Sequence, residues 1–143
     1  MERDGNSSSD LFTRLTSFLQ VVGRMSDGIV AKHDLNAAQY TILELLSEKG
    51  PLKQTQIAQF LSVTPANISQ MIAKMERAKW VKRVAKGASK VVELTPTSVE
   101  LIDSLRPEMR ALMSSRFDVL DEQEFKALDA LVNKLLHSHG VES

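Results

Sequence analysis

Hydrophobic residues recur every three or four positions through most of this chain, which is the spacing of amphipathic helices. The first stripe alternates steps of four and three residues and consists of Leu11, Leu15, Phe18, Val22, Met25 and Ile29. A polar, serine-rich stretch precedes it, so residues 1–9 are predicted to form a flexible tail. The stripe predicts a helix over 10–33 with a wide apolar face, and we expect this helix to dimerise.

Start and stop signals divide the next residues into short helices. Asn36 and Gln39 have the spacing of a capping box, and Gly50-Pro51 ends the helix that begins there. We expect this second helix to bury Tyr40, Ile42, Leu43 and Leu46. A third helix is predicted from Gln54 to Phe60, with Ile57, Ala58 and Leu61 facing inward.

The fourth helix has an unusual polar face. Thr64 followed by Pro65 predicts a helix cap and a proline at the first helical position. The core face would consist of Ile68, Met71, Ile72 and Met75, and the exposed face of Ala66, Asn67, Ser69, Gln70 and Lys74. These exposed side chains are mostly short or amide-tipped. That composition suits a helix that reads base edges in a DNA major groove.

The rest of the chain predicts a hairpin and two further helices. β-branched runs flank the short loop Lys86–Lys90, which predicts a hairpin with a basic tip. Thr97 or Ser98 is expected to cap the fifth helix, and Pro107 to kink it. Asp121 and Glu124 predict a capping box for the last helix. The predicted division is therefore a DNA-binding lobe over 34–98 and dimerisation helices over 99–143.

Positive charge is concentrated in the lobe. Residues 50–95 contain eight cations and two acids, a net charge of +6, although the whole chain has 18 basic and 18 acidic residues. The cations are Lys53, Lys74, Arg77, Lys79, Lys82, Arg83, Lys86 and Lys90. A local excess of this kind is typical of a surface that binds nucleic acid.

Composition argues against several other classes. The chain has no cysteine, and its three histidines lack partners at ligand spacing, so we expect no metal and no cofactor. It shows no apolar run long enough for a membrane span and no signal sequence, so we expect a cytoplasmic protein without a membrane partner. A glycine-rich phosphate loop and a catalytic Ser/His/Asp constellation are also missing, so we do not expect an enzyme.

Short segments in a fixed order resemble the MarR family, the multiple antibiotic resistance regulators. They are Leu35-Asn36 with Gln39-Tyr40, Gln56-Ile57-Ala58, Val63-Thr64, Ile68-Ser69, Met75-Glu76, Val81-Lys82-Arg83 and Leu94-Thr95-Pro96. The resemblance extends from residue 10 onward. It implies a mainly α-helical fold with a small β-hairpin wing: a winged helix–turn–helix with N- and C-terminal dimerisation helices.

The same resemblance implies a function. It suggests a homodimeric regulator, and we expect a ligand-responsive repressor that binds double-stranded DNA at a pseudo-palindromic operator. Its effector would be a small aromatic or lipophilic anion, and we place the pocket between helices 1, 2 and 5. The predicted dimer contacts are Leu11, Leu15, Phe18, Val22, Phe125, Leu128, Val132 and Leu135.

Specific roles follow for the DNA-binding residues. Asn67 and Gln70 are expected to read bases, and Thr64 to bind a phosphate. The full predicted set is Gln54, Thr55, Thr64, Pro65, Ala66, Asn67, Ser69, Gln70, Lys74, Arg83, Lys86, Gly87, Ser89 and Lys90.

Three positions depart from the family pattern. The wing has Lys86-Gly87-Ala88 where the family commonly has an Asp-x-Arg pair, and it is about three residues shorter. Lys79 replaces the glycine that usually follows the recognition helix, and Lys53 replaces a hydroxyl cap. Two alternatives stay open: a winged-helix adaptor that binds a protein, and a DNA-binding regulator without effector response.

Overall fold

The computed structural model describes residues 5–138 as six α-helices and one antiparallel hairpin. In chain order the elements are α1 (Gly5–Val30), a 3-10 turn (Ala31–His33), α2 (Ala37–Lys49), α3 (Gln54–Leu61), α4 (Pro65–Arg77), β1 (Val81–Lys86), β2 (Ser89–Leu94), α5 (Pro96–Phe117) and α6 (Glu122–Ser138). This confirms the predicted fold class, a mainly α-helical chain with a hairpin between the fourth and fifth helices.

The first helix begins earlier than predicted. Residues 5–9, which the serine-rich composition assigned to a flexible tail, lie within α1. The apolar stripe, which starts at Leu11, did not predict this boundary, because a helix can extend beyond the turns that pack against other elements. Residues 1–4 of the predicted tail lie outside the described residues.

Side-chain caps set most helix starts, as predicted. Asn36 Oδ1 accepts the Gln39 N–H at 2.8 Å, and Gln39 Oε1 accepts the Asn36 N–H at 3.0 Å. Asp121 and Glu124 form the same reciprocal pair at the start of α6, at 2.9 and 3.0 Å. Both capping boxes are therefore confirmed.

The cap of α5 differs from the prediction. Thr95, and not Thr97 or Ser98, precedes the helix, and its Oγ1 accepts the Ser98 N–H at 3.3 Å. Pro96 occupies the first helical position, where its missing N–H costs nothing. The cap is therefore the residue directly before it, Thr95. The helix then runs without a break through Pro107 to Phe117.

The core lies between α1, α2, α3, α4, the hairpin and the first half of α5. Its members are buried in a single cluster that includes Val30, Leu35, Tyr40, Ile42, Leu43, Leu46, Ile57, Ile68, Ile72, Met75, Val81, Val92, Leu101, Ile102 and Leu105. The predicted inward stripes of α2 and α4 are buried here, except that Met71 is half-buried. This packing fixes which face of α4 points to solvent.

The hairpin is tighter than its sequence suggested. Lys86 pairs with Ser89, so Gly87 and Ala88 form a two-residue turn, where the sequence suggested the longer loop 86–90. Gly87 has φ +62° and Ala88 does not have a positive φ, and a positive φ at the first central residue alone is typical of a type II′ hairpin turn. Leu52 bridges to Val92 and joins the wing to the segment before α3.

The last helix, α6, contacts α5 near its N-terminal end. Phe117 in α5 contacts Phe18 and Phe125 edge to face, at centroid distances of 5.7 and 5.9 Å. None of the described residues of α6 is buried. Within residues 5–138, no helix combines the length and hydropathy needed to cross a bilayer.

Candidate nucleic-acid interface

Helix α4 presents a polar face to solvent because its apolar face is locked in the core. Ile68, Ile72 and Met75 are at most 1% exposed. Asn67, Ser69, Gln70 and Lys74 are all exposed on the other side, together with Pro65 and Ala66. The predicted reading face is therefore free of intramolecular contacts with the core.

The start of α4 suits contact with an anion. Thr64 Oγ1 accepts the Asn67 N–H at 3.2 Å, which leaves its own hydroxyl proton as a donor. The open N–H groups and the helix dipole favour a negative group at this end. Ser62, with φ +53°, makes the turn between α3 and α4. Local sequence thus places a helix N-terminus and a polar face side by side.

The end of α4 is a Schellman motif built on a lysine. The Trp80 N–H donates to the Met75 carbonyl at 2.9 Å, and the Lys79 N–H donates to the Glu76 carbonyl at 3.0 Å. Lys79 adopts φ +64°, the left-handed conformation that glycine usually supplies. The backbone is therefore left-handed here although the residue is not glycine. Thr95 Oγ1 donates to the Lys79 carbonyl at 2.8 Å and ties this end to the start of α5.

The strand register divides the wing cations between two faces. Residues directly opposite share a face, so Lys90, opposite Ala85, lies on the side of Arg83. Lys82 and Lys86 lie on the other side, where Lys82 pairs with Glu93 at 3.2 Å. Each face therefore carries two cations.

The Arg83 side chain is held at the base of the wing. Its Nη2 donates to Gln54 Oε1 at 3.2 Å, and its Nη1 lies 3.8 Å from Glu76 Oε1. Glu76 Oε2 also accepts the Arg83 backbone N–H at 3.3 Å. Arg83 therefore joins α3, α4 and β1, and it lies away from the Gly87-Ala88 tip.

The structure leaves the predicted DNA-binding residues accessible. Gln54 and Ser89 are half-buried and the other twelve are exposed. Gln54 and Arg83 are brought into contact, which their separation in the sequence did not reveal. Sequence reasoning missed Glu76, because an acid within a basic segment gives no signal until the wing folds back on α4.

A cavity of about 1000 Å³ lies between α2, α5 and α6. The sequence predicted an effector pocket between helices 1, 2 and 5, whereas this cavity is lined by residues of α2, α5, α6 and the segment between α5 and α6. Its polar lining includes Tyr40, Arg106 and Arg110 and the carboxylates Glu44, Asp118, Asp121, Glu122 and Asp129, and its apolar lining includes Met109, Met113, Phe117, Phe125, Leu128 and Val132. The position follows from the Phe117–Phe125 contact, which holds α6 beside α5.

A polar network crosses this cavity wall. The Tyr40 hydroxyl donates to Glu44 Oε1 at 3.0 Å, and Arg106 Nε lies 3.4 Å from the same oxygen. Arg106 also donates to Ser47 Oγ at 3.0 Å. Burial, followed by the hydrogen bond and charge of Glu44, raises the pKa of the Tyr40 phenol well above its ordinary value. The phenol therefore acts as a donor.

The predicted dimer residues are mostly exposed in the single chain. Leu135 is 58% exposed, Phe125 48% and Leu11 47%. Val22 differs, because α1 packs along α5 and buries it within the chain, leaving it 8% exposed. Leu128 is half-buried. The remaining residues form apolar faces without a cover in one chain.

Potential metal ligands do not cluster within the described part of the chain. No group of three or more His, Asp or Glu side chains there is placed to share an ion. His33 ends the 3-10 turn, His137 is exposed near the end of α6, and His139 lies outside the described residues.

A helix–turn–helix with an exposed polar second helix, followed by a β-hairpin, defines the class of winged helix–turn–helix proteins. The family model that matches residues 35–90 is that of the MarR family. The chain belongs to the MarR family of helix–turn–helix transcriptional regulators.

One curated relative and two solved structures match this chain over most of its length. An uncharacterized HTH-type transcriptional regulator of Bacillus cereus is 32% identical over 139 residues, covering 96% of this chain and 94% of its own. Sco3205, a MarR family transcriptional regulator from Streptomyces coelicolor in complex with DNA, superposes with a TM-score of 0.84 at 16% identity, covering 96% of this chain and 91% of its own.

Bordetella bronchiseptica BpsR, whose DNA binding is regulated by 6-hydroxynicotinic acid, gives a TM-score of 0.76 at 21% identity. The match covers 86% of this chain and 90% of BpsR. At these identities the two structures bear on the fold alone.

Proposed function

We propose that this protein is a homodimeric, sequence-specific repressor that binds a pseudo-palindromic operator in double-stranded DNA and responds to a small aromatic or lipophilic anion. The observation that carries the DNA-binding part is the division of α4. Its apolar side chains are in the core, and its amide and hydroxyl side chains face solvent behind a capped N-terminus.

Each part of the lobe has a separate task in this proposal. Asn67 and Gln70 contact base edges, since a carboxamide can pair with adenine through two hydrogen bonds. Thr64 and the start of α4 bind a phosphate. Lys74, Lys86 and Lys90 contact the backbone and supply the salt dependence. The polar α4 face also disfavours a protein adaptor, which would need exposed apolar residues there.

The homodimer is supported by the uncovered apolar faces of α1 and α6. Phe12, Leu19, Leu131 and Leu135 are each more than half exposed in one chain. Such a large apolar surface is typical of an interface. A two-fold dimer would present its α4 helices to successive major grooves about 34 Å apart, so the operator would be pseudo-palindromic.

The effector proposal is supported by the cavity between α2, α5 and α6. The lining is largely apolar, and its polar members include Arg106, Arg110 and the Tyr40 phenol together with the carboxylates Glu44, Asp118, Asp121, Glu122 and Asp129. In this proposal the apolar lining holds the ring of the effector and Arg110 binds its negative charge. The cavity also touches both α2 of the DNA-binding lobe and the α5–α6 pair. A bound anion could therefore shift the two parts relative to each other.

Selection of bound duplexes from a random pool tests this function. We expect the purified protein to enrich a pseudo-palindrome, and small aromatic acids to release it from that sequence. A protein that enriches no sequence, or that ignores duplex DNA even at low ionic strength, would refute the proposal. A dimer that enriches an operator but ignores every aromatic acid would refute the effector part alone.

A further inference from the structure

Glu76 is one of the two acidic residues in the basic segment 50–95 of the DNA-binding lobe. Glu76, in the last turn of α4, bonds the Arg83 backbone N–H through Oε2 and faces the Arg83 guanidinium through Oε1. A carboxylate here lowers the positive potential that attracts DNA. Its contacts indicate a compensating role, because both of its oxygens are directed at one residue.

Arg83 is held from two directions. Glu76 faces Nη1, and Gln54 in the first turn of α3 accepts a hydrogen bond from Nη2. The side chain is still 31% exposed, so part of the guanidinium remains open to solvent. An arginine fixed in this way has already lost most of its rotamer freedom, and binding a ligand costs it less entropy.

A shallow cavity of about 300 Å³ opens beside the guanidinium. It is lined by Gln54, Arg83, Lys90, Val91 and Val92. Arg83 and Lys90 share one face of the hairpin, so both cations border the same space. Since Gln54 uses Oε1 to hold Arg83, its amide NH₂ remains a donor. A guanidinium fork, an ammonium and an amide donor around one cavity match a phosphate.

We propose that Glu76 is a positioning residue, which fixes Arg83 so that Arg83, Gln54 and Lys90 form one binding site for a backbone phosphate of duplex DNA. This inference rests on the proposed DNA-binding function. It places the phosphate contact of Arg83 at the base of the wing and not at its tip. It also means that Glu76, although acidic, increases the affinity for DNA.

The variant E76Q tests the proposal, with E93Q as its matched control. Both changes remove one negative charge near the wing, but Glu93 pairs with Lys82 on the opposite face. Affinity is measured for the selected operator and for a random duplex. E93Q should bind both at least as tightly as the unchanged protein, because it removes repulsion. E76Q should bind both more weakly, by roughly three- to tenfold, the loss of about one charge-assisted contact.

The same measurements at two salt concentrations identify the lost contact. R83A should lose one phosphate contact, so its salt slope should fall by about 0.9. Between about 50 and 200 mM salt its affinity should therefore drop about threefold less than that of the unchanged protein. Adding E76Q to R83A should cause no further weakening, since the residue that Glu76 positions is gone.

R83K tests the role of the guanidinium without depending on whether E76Q folds normally. It keeps the charge but loses the fork, so it should bind both duplexes more weakly with an unchanged salt slope. If E76Q binds as tightly as E93Q, or still weakens binding in the R83A background, the positioning role is wrong. If the unchanged protein binds the operator and only these variant effects fail, the inference falls alone. If it binds no duplex, the proposed function falls with it.

Discussion

At the scale of single residues, Lys79 shows how much local strain the recognition helix tolerates. A left-handed backbone places Cβ close to the following carbonyl and costs a non-glycine residue roughly 1–2 kcal/mol. The Schellman bonds of α4 and the Thr95 hydroxyl hold Lys79 there at φ +64°. The surrounding structure therefore determines a conformation that this residue does not favour.

Replacing Lys79 with glycine should stabilise the protein. Glycine relieves the strain but makes the unfolded chain more flexible, so the expected net gain in the free energy of unfolding is about 0.5–1 kcal/mol. Denaturant unfolding at fixed protein concentration measures it. Ala78→Gly is the control, because Ala78 has φ −78° and should lose stability. A K79G protein no more stable than the unchanged one would contradict this account of the strain.

Tyr40 gives a second prediction at this scale, because it is the single tyrosine of the chain. Its raised pKa means that the native phenol should still be protonated well above the ordinary value of 10.0. The unfolded state ionises first, so the free energy of unfolding should fall as pH rises past about 10. Ultraviolet absorbance of the tyrosinate follows the ionisation in the native protein and in denaturant.

Tyr40→Phe separates this effect from other groups that titrate at high pH. The variant should show no tyrosinate signal, and its stability should decline less steeply in that range. A native phenol that ionises at its ordinary pKa would show that Tyr40 is neither desolvated nor bonded to Glu44 as described.

At the scale of elements, α4 and the wing should contribute differently to binding. Asn67→Ala and Gln70→Ala should each cost roughly 1–3 kcal/mol on the operator and little on random duplex, because they remove base contacts. Lys86→Ala should weaken binding to both duplexes alike and lower the salt slope by about 0.9. Competition binding with operator and random duplex distinguishes the two patterns. Equal losses on both duplexes for all three variants would refute the assignment of α4 as the reader.

The elements also show what the sequence could predict. The caps at Asn36, Thr64 and Asp121 depend on residues within one helical turn, and all three were predicted correctly. Local rules failed where nearby residues could cap the same helix equally well, as with Thr95 and Thr97 at the start of α5. They also failed at residues 5–9, because a polar stretch has no apolar repeat that would indicate an exposed helical turn.

The candidate site was predictable to the same extent. The exposed face of α4 follows from a helical repeat, so its residues were found without a structure. The contact of Gln54 with Arg83 depends on how the wing packs against α3, and the role of Glu76 depends on that contact. Similarly, the sequence did not predict a cavity beside α6, because the position of α6 beside α5 is decided by packing among Phe18, Phe117 and Phe125.

At the scale of the whole molecule, the proposed homodimer links the uncovered helices to DNA binding. One lobe would reach only half of a pseudo-palindrome, and joining two lobes would raise the apparent affinity by making the second contact intramolecular. In this proposal the apolar face of α6 is coupled to DNA affinity although it lies outside the DNA-binding lobe. The packing of a single chain leaves this helix without a buried residue among those described.

Leu135→Asp tests the proposed dimer, because α6 lies outside the DNA-binding lobe. Leu135 is 58% exposed in one chain, so the substitution should leave the lobe folded and place a charge in the partner interface. We expect a monomer by analytical ultracentrifugation, with operator affinity reduced at least tenfold. Ala130→Asp, on the opposite face of α6, should stay dimeric and bind normally. If L135D remains dimeric, or if its monomer binds the operator as tightly as the unchanged protein, the two lobes do not act together through α6.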